Sequence, residues 1–410
     1  HVDGPLLILA GAGSGKTRII TNRICHLMTA HQVPGSAILA VTFTNKAAGE
    51  MRDRVLKMLG GVNSYQDAPV LATFHSFCVR LLRRDGDRLA EHRRGFTRQF
   101  TIYDDDDQLA LIKQAYRHLS LDEKFLQYRG ALSAISQAKN QGETPDDWRK
   151  KPDPKSQRLA AIFERYNESL IQNNAVDFDD LLLLAVQLLA RDEATRLKYN
   201  RQFAFLMIDE YQDTNRTQYD LVRLLTREHQ NLAVVGDEDQ SIYGWRGADI
   251  RNILDFERDY PRAKVIRLEQ NYRSTKNILA AASAVVARNT QRKGKTLWTA
   301  SDAGPKLSLF EAADGEGEAM FIASTIDRNF DRDPGTKVAV LYRTNFQSRQ
   351  IEEALRRIGR KYTVVGGISF YGRAEVKDAL AYLKLLSSPD DSIALLRVIN
   401  TPARGIGKTT

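Results

Sequence analysis

Leu6–Thr17 reads LLILAGAGSGKT: an apolar run, a loop of small residues, then Gly15, Lys16 and Thr17 opening a helical pattern. In the loop Ala10, Gly11, Ala12, Gly13, Ser14, Gly15, the minimal side chains let backbone N–H groups converge on phosphate oxygens. The N-terminus of the following helix adds a favourable dipole. Lys16 is suited to neutralise the β- and γ-phosphates, and the Thr17 hydroxyl to bind magnesium. The general pattern starts with glycine where this chain has Ala10; the remaining positions and the strand–loop–helix context fit. A glycine-rich turn followed by GKT by chance is the competing reading, and that context counts against it. ATP and Mg2+ are therefore the expected ligands.

Three later segments extend this site. Phe205–Asp213 reads FLMIDEYQD, an apolar strand delivering two adjacent carboxylates. Asp209 at the strand end can hold magnesium through water, and Glu210, turned the other way, can act as general base on the attacking water. Alone, such a pair is often a solvated strand end; joined to the phosphate loop it reads as catalytic. Leu232–Ala248 reads LAVVGDEDQSIYGWRGA. Gln240, beyond that strand tip, can sense a γ-phosphate or orient water. Tyr243, Trp245 and Arg246 follow in a glycine-flanked loop, where aromatics beside arginine can stack on bases and pair with phosphates. Core packing is the ordinary use of a tryptophan, but the loop setting favours exposure. Asn271–Ser274 reads NYRS. Arg273 can be an arginine finger acting in cis, and Tyr272 can stack on adenine; a structural salt bridge is the plainer role for Arg273.

Around these segments, short apolar runs alternate with helical patterns. Pro5–Ala10, Ala37–Thr42, Val70–Thr73, Phe205–Ile208, Leu232–Val235 and Lys264–Leu268 read as buried parallel strands of a doubly wound α/β domain. From about Arg83 to Arg201 the rhythm stops. Asp106–Leu119, Arg158–Gln172 and Phe178–Ala190 carry apolar residues at helical spacing, so a helical insertion is expected. The acidic run Asp104–Asp107 reads as a helix cap. After Asn271 a second α/β pattern begins, with candidate strands Leu307–Phe310, Lys337–Leu341 and Tyr362–Val365. Helices are expected near Thr275–Ala287, Glu318–Asn329 and Ser348–Ile358. The pattern breaks off within Val398–Thr410, and the chain opens at His1, almost directly on a strand, so further residues are expected at both ends.

At 410 residues the chain should form two or three domains. A net charge of +9 favours polyanionic partners, without separating nucleic acid from a membrane surface. The two cysteines, Cys25 and Cys78, lack metal-binding spacing and suit a reducing compartment. The longest apolar stretch, Leu181–Ala190, is broken by Gln187 and too short for a bilayer, and no signal-peptide pattern occurs.

Taken together, AGAGSGKT, VTFTNKAAGEM (41–51), TFHSF (73–77), IDEYQDTN (208–215), VVGDEDQSIYGWRGADI (234–250) and LEQNYRS (268–274) resemble the UvrD/Rep/PcrA group of superfamily 1 DNA helicases. YRTNFQSRQIEEAL (342–355) and VVGGISFYGRAEVKD (364–378) extend the resemblance over nearly the whole chain. The family usually has proline where Glu238 stands, a change with no evident loss of chemistry.

The resemblance implies an α/β fold: a RecA-like parallel-sheet motor domain with a helical insertion, then part of a second RecA-like domain. Residues 1–83 and 201–270 would form motor domain 1A, 84–200 the insertion 1B, 271–389 the first part of 2A, and 390–410 the start of the 2B insertion. It implies a motor moving 3′ to 5′ on single-stranded DNA, working at single/double-strand junctions with repair or replication proteins, away from membranes in a bacterial cytoplasm at the nucleoid. Phe43, Thr44, Asn45, His75, Tyr243, Trp245 and Arg246 would line the DNA path. Arg18 would lie near the nucleotide base, Gln240 at the γ-phosphate, and Arg273 would be the finger. Nucleotide between two motor domains would favour their closure, and hydrolysis would release it. An adenine-contacting glutamine motif, the remainder of 2A and most of 2B are the family pieces expected outside this chain. Two alternatives stay open: the motor subunit of a nuclease–helicase complex, and an ATP-gated DNA clamp that does not translocate. A small-molecule kinase fits poorly with the Tyr243–Arg246 loop.

Overall fold

The structure, a computed structural model, describes residues 1–60, 68–93, 95–365 and 373–406. The chain separates into two compact units, residues 1–304 with 380–410, and residues 305–379.

The first unit is built on a parallel sheet. Its strands are β1 (Leu6–Ala10), β2 (Ile38–Thr42) and β3 (Val70–Thr73), then, beyond the short pair β4 (Thr101–Ile102) and β5 (Ala175–Val176), β6 (Phe205–Ile208), β7 (Leu232–Gly236) and β8 (Lys264–Leu268). The order is β3-β2-β6-β7-β1-β8, with every neighbouring pair parallel. These are the six strands expected, with ends moved by one residue at most.

Alternate residues of one strand feed different cores, which is why the runs are continuously apolar. On β1, Leu6, Ile8 and Ala10 join Ile20, Ile24, Met51 and Val55 of α1 (Lys16–Ala30) and α2 (Asn45–Met58). Leu7 and Leu9 belong to the opposite core, with Phe77 and Leu81 of α3 (Phe74–Asp85). Each such leucine contributes about 1.5–3 kcal/mol by burial. The edge strand β8 is only partly buried and carries Lys264 and Arg267, a common way to blunt an edge.

The stretch from β4 to β6 is helical: α4 (Asp105–His118), α5 (Tyr128–Gln141), α6 (Pro145–Arg149), α7 (Pro154–Gln172), α8 (Phe178–Arg191) and α9 (Glu193–Gln202). It has its own core around Tyr103, Leu111, Tyr116, Phe163 and Tyr166. The acidic run caps α4: the Asp104 carboxylate accepts the Asp106 and Asp107 N–H groups at 2.9 and 3.0 Å, and Asp107 answers in a capping box. The β4–β5 pair escapes prediction because two-residue strands carry no period. A buried knot ties α5 to the start of α8, with Lys139 Nζ 2.6 Å from Asp177 and 2.7 Å from Asp180. Tyr166 Oη donates to the same Asp177 at 2.9 Å. Helix α10 (Arg216–Leu225) follows β6. Residues of the 380–410 segment dock on the helical stretch, where Tyr103 Oη donates to Asp391 at 2.7 Å and Ile393 enters the core.

In the second unit the helices Gly315–Arg332 and Ser348–Arg357 pack around Ala319, Ala323, Ile326, Ala354 and Leu355. The expected strands are the correction here. Among the described residues, Leu307–Phe310, Lys337–Leu341 and Tyr362–Val365 form no ladder, and Leu309 and Leu341 are 96% and 90% exposed. An apolar β-branched run states fitness for a sheet, but ladder formation needs partner strands that periodicity does not supply. The part of the 364–378 motif at 366–372, and residues 407–410 of the broken terminal pattern, lie outside the described residues.

Candidate active site and nucleic-acid cleft

All the candidate groups sit beyond the carboxyl ends of the parallel strands, where open α/β sheets bind ligands. Along the sheet edge, β3 delivers His75, β2 delivers Phe43 and Thr44, β6 delivers Asp209 and Glu210, β7 leads to Gln240, β1 to the phosphate loop and β8 to Asn271–Arg273.

In the phosphate loop, Ser14 Oγ donates to the Gly11 carbonyl at 2.7 Å, closing the turn. Helix α1 begins without a side-chain cap, so its N-terminal N–H groups remain available for an anion. Gly13 has φ +67, and a Cβ there would lie 2.6 Å from Asn271 Nδ2. That crowding reflects a direct dock: Asn271 Nδ2 donates to the Ala12 carbonyl at 2.7 Å, and the Tyr272 N–H to the Gly13 carbonyl at 3.0 Å. The NYRS segment is thus fastened to the loop, with the Tyr272 and Arg273 side chains exposed beside it. Ala10 is buried in the sheet core, where alanine fits as well as glycine. Arg18 is exposed on the first turn of α1.

Lys16 Nζ donates to Gln240 Oε1 at 3.0 Å and lies 3.3 Å from Glu210 Oε2. Thr17 Oγ1 donates to Asp209 Oδ2 at 3.4 Å. Burial, and then the neighbouring Glu210, push the Asp209 carboxyl up to about 6. The hard oxygens of Thr17 and Asp209 fit magnesium, which takes few protein ligands and keeps its waters and phosphates. No cluster of three or more His, Cys, Asp or Glu suited to a metal occurs among the described residues, and a phosphate-bound magnesium needs none. Glu210 has a left-handed backbone (φ +51), an unusual conformation for a side-chain-bearing residue. Gln212, not singled out from sequence, is fully buried. It donates to Glu210 Oε2 at 2.9 Å and accepts the Asp237 N–H at 2.9 Å, joining the tips of β6 and β7. Gly236 leaves room for this, since a Cβ there would lie 2.7 Å from Gln212 Oε1.

The candidate catalytic groups open into a cleft of about 870 Å³. Thr17, Asp209, Glu210 and Gln240 line one part, and Phe43, Thr44, His75, Tyr243, Trp245 and Arg246 another. Asn45 is exposed at the start of α2, next to Thr44, which caps that helix by accepting the Ala47 N–H at 3.1 Å. Trp245 is 69% exposed, which removes the core-packing role. Arg246 lies over the Trp245 ring at 4.5 Å and the Tyr243 ring at 5.8 Å. Burial lowers the His75 pKa, so its ring is neutral at pH 7 and offers a stacking face and hydrogen bonds rather than charge. The wall from the helical stretch, unforeseen from sequence, includes Ser136, Gln137 and Asn140 of α5 and Asp179 of α8. Asn140 Nδ2 donates to Asp179 Oδ1 at 2.9 Å, holding that carboxylate back. Spacing within a helix does not say which helix it will face.

The UvrD/REP helicase N-terminal domain matches residues 1–261, and the UvrD-like helicase C-terminal domain matches residues 266–410. The chain belongs to the UvrD/REP helicase family. Relatives of this UvrD/REP-family chain include the ATP-dependent DNA helicase PcrA of Bacillus subtilis, 48% identical over 100% of the chain and 54% of the relative. The PcrA proteins of Staphylococcus epidermidis and Staphylococcus aureus are 48% and 47% identical, again over the whole chain and 55% of each relative. The chain spans about half the length of the curated relatives it matches. Among the described residues, no helix is long and apolar enough to cross a membrane.

Proposed function

We propose that this chain is the ATP-hydrolysing, DNA-gripping part of an ATP-dependent DNA helicase that moves 3′ to 5′ along single-stranded DNA and opens duplex at single/double-strand junctions. The observation that carries this reading is the shared cleft: the hydrolytic groups and the exposed Tyr243–Arg246 loop line one space. Gln240 stands three residues before Tyr243, so a change at the phosphate end has a short covalent route to the aromatic loop. The similarity to proteins named ATP-dependent DNA helicase PcrA agrees in kind.

In this reading the α1 N-terminus and Lys16 hold the terminal phosphates, and the exposed Arg18 and Tyr272 meet the base. Magnesium, held by Thr17 and Asp209, would neutralise charge on the β- and γ-phosphate oxygens. Glu210 accepts the proton of the attacking water, and Arg273 stabilises charge on the transferring phosphoryl group. Gln240 responds to the presence of a γ-phosphate, biasing the loop that grips DNA. Tyr243, Trp245, Phe43 and His75 stack without reading base edges, which suits movement over any sequence, while Thr44, Asn45 and Arg246 contact the backbone.

Within such a motor, residues 1–83 and 201–270 are assigned to the first motor domain, 84–200 to its insertion, 271–389 to the start of the second, and 390–410 to the start of a further insertion. Repair or replication restart at the nucleoid of a bacterial cytoplasm, with proteins of those pathways, is the setting proposed. A strand-displacement assay on tailed duplexes tests the reading: the complete protein with ATP and Mg2+ should open a 3′-tailed duplex and leave a 5′-tailed one closed. Equal opening of both, or of neither while ATP is consumed, would refute directional unwinding.

A further inference from the structure

Residues 291–297 have no regular secondary structure, yet they place a lysine deep beside the γ-phosphate sensor. The Lys295 side chain is 2% exposed. Its Nζ lies 2.6 Å from Asp237 Oδ1, 2.9 Å from Glu238 Oε2 and 3.0 Å from Asp239 Oδ2. Arg292 Nη2 adds a 2.8 Å contact to Asp239. Three consecutive carboxylates, none more than 8% exposed, are therefore gathered around one ammonium. Without it they would repel one another at low dielectric, and the turn that carries them would have to open or take up protons. Burial alone would lower the Lys295 pKa; Asp237 and Glu238 more than reverse that and hold it above its ordinary value.

The second oxygen of Asp237 leads to the active site. Asp237 Oδ2 accepts Gln240 Nε2 at 2.5 Å, and Gln240 Oε1 accepts Lys16 Nζ at 3.0 Å. Only one orientation of the Gln240 amide satisfies both ends, because its NH2 must face the carboxylate and its oxygen the ammonium. Lys295 thus fixes Asp237, Asp237 fixes the amide, and the amide meets Lys16. The same turn is braced from β6 through the Asp237 N–H and Gln212. The ion-pair partners of Lys295, namely Asp237, Glu238 and Asp239, are not themselves groups expected to meet nucleotide.

We propose that Lys295, supported by Arg292, is a positioning residue for ATP hydrolysis, holding the Asp237–Gln240 turn so that Gln240 presents its oxygen to Lys16 and the terminal phosphate. This rests on the reading of Gln240 as phosphate sensor. It makes the segment after the NYRS motif part of the catalytic apparatus through charge neutralisation. It also gives Glu238 a consequence: a third carboxylate raises the dependence on the lysine.

The test is steady-state, DNA-stimulated ATP turnover of the complete protein, with thermal melting of each variant. Lys295→Met should lower kcat at least about ten-fold, the scale on which a misplaced catalytic group acts, with a smaller change in KM for ATP. Lys295→Arg, which keeps the charge, should recover most of that loss. Because Lys295 acts through Gln240, Lys295→Met combined with Gln240→Ala should be no slower than Gln240→Ala alone. An unchanged kcat in folded Lys295→Met, or losses that multiply in the double variant, would overturn the proposal. Should Lys295→Met fail to fold, the comparison moves to Glu238→Gln/Lys295→Met, which relieves one carboxylate; undiminished kcat there overturns it equally. Absence of ATP turnover in the unaltered protein would instead sink the hydrolysis reading itself.

Discussion

In the proposed mechanism the chemistry turns on Lys16, held between Gln240 Oε1 and Glu210 Oε2 at 3.0 and 3.3 Å. Lys16→Ala removes the charge meant for the terminal phosphates, and ATP turnover should fall by about a hundred-fold or more, with weakened nucleotide binding. Glu210→Gln keeps size and hydrogen bonding but cannot take a proton. It should retain nucleotide in equilibrium binding while kcat falls about 10²–10⁴-fold; turnover within a factor of two of the unaltered protein would remove Glu210 as the base. Chelation of Mg2+ should abolish turnover, with activity returning on readdition. That Lys16, Thr17, Asp209, Glu210 and Gln240 come together is legible from sequence because each lies a fixed few residues from a strand end. Gln212 and Lys295 are not. Gln212 sits inside a quoted motif but acts through a tertiary contact between β6 and β7. Lys295 lies in an irregular stretch where nothing local marks burial.

Among elements, the glycine-flanked Tyr243–Arg246 loop has the clearest consequence. Trp245→Ala should weaken single-strand binding by about 1–3 kcal/mol per stacked base, read from a fluorescence titration at fixed salt; unchanged affinity would take Trp245 out of the DNA path. The Lys139 knot between α5 and α8 carries a stability prediction. Lys139→Met leaves Asp177 and Asp180 buried without their main cation and should cost about 3–5 kcal/mol in denaturant unfolding. The six sheet strands were readable because burial on both faces writes an unbroken apolar run. The same signature at Leu307–Phe310 and Lys337–Leu341 produced no ladder, since pairing depends on neighbours rather than on the run itself. Helix α5, which supplies Ser136, Gln137 and Asn140 to the cleft, buries Ala131, Ile135, Ala138 and Lys139, so few large apolar side chains mark its period in the sequence.

For the whole molecule, a net charge of +9 becomes specific only once the cleft is seen. Lysines and arginines spread over a surface would bind any polyanion; in the proposed reading, aromatics grouped with Arg246 beside the candidate ATP site favour a single strand. Family membership supports that reading over the full chain. Steady-state ATP turnover, measured with and without saturating single-stranded DNA, tests the shared cleft most directly. Stimulation of about five-fold or more is expected, the ordinary scale of coupling between linked sites. It should vanish in Lys16→Ala and need more DNA in Trp245→Ala. Turnover in the unaltered protein that is indifferent to DNA would contradict it.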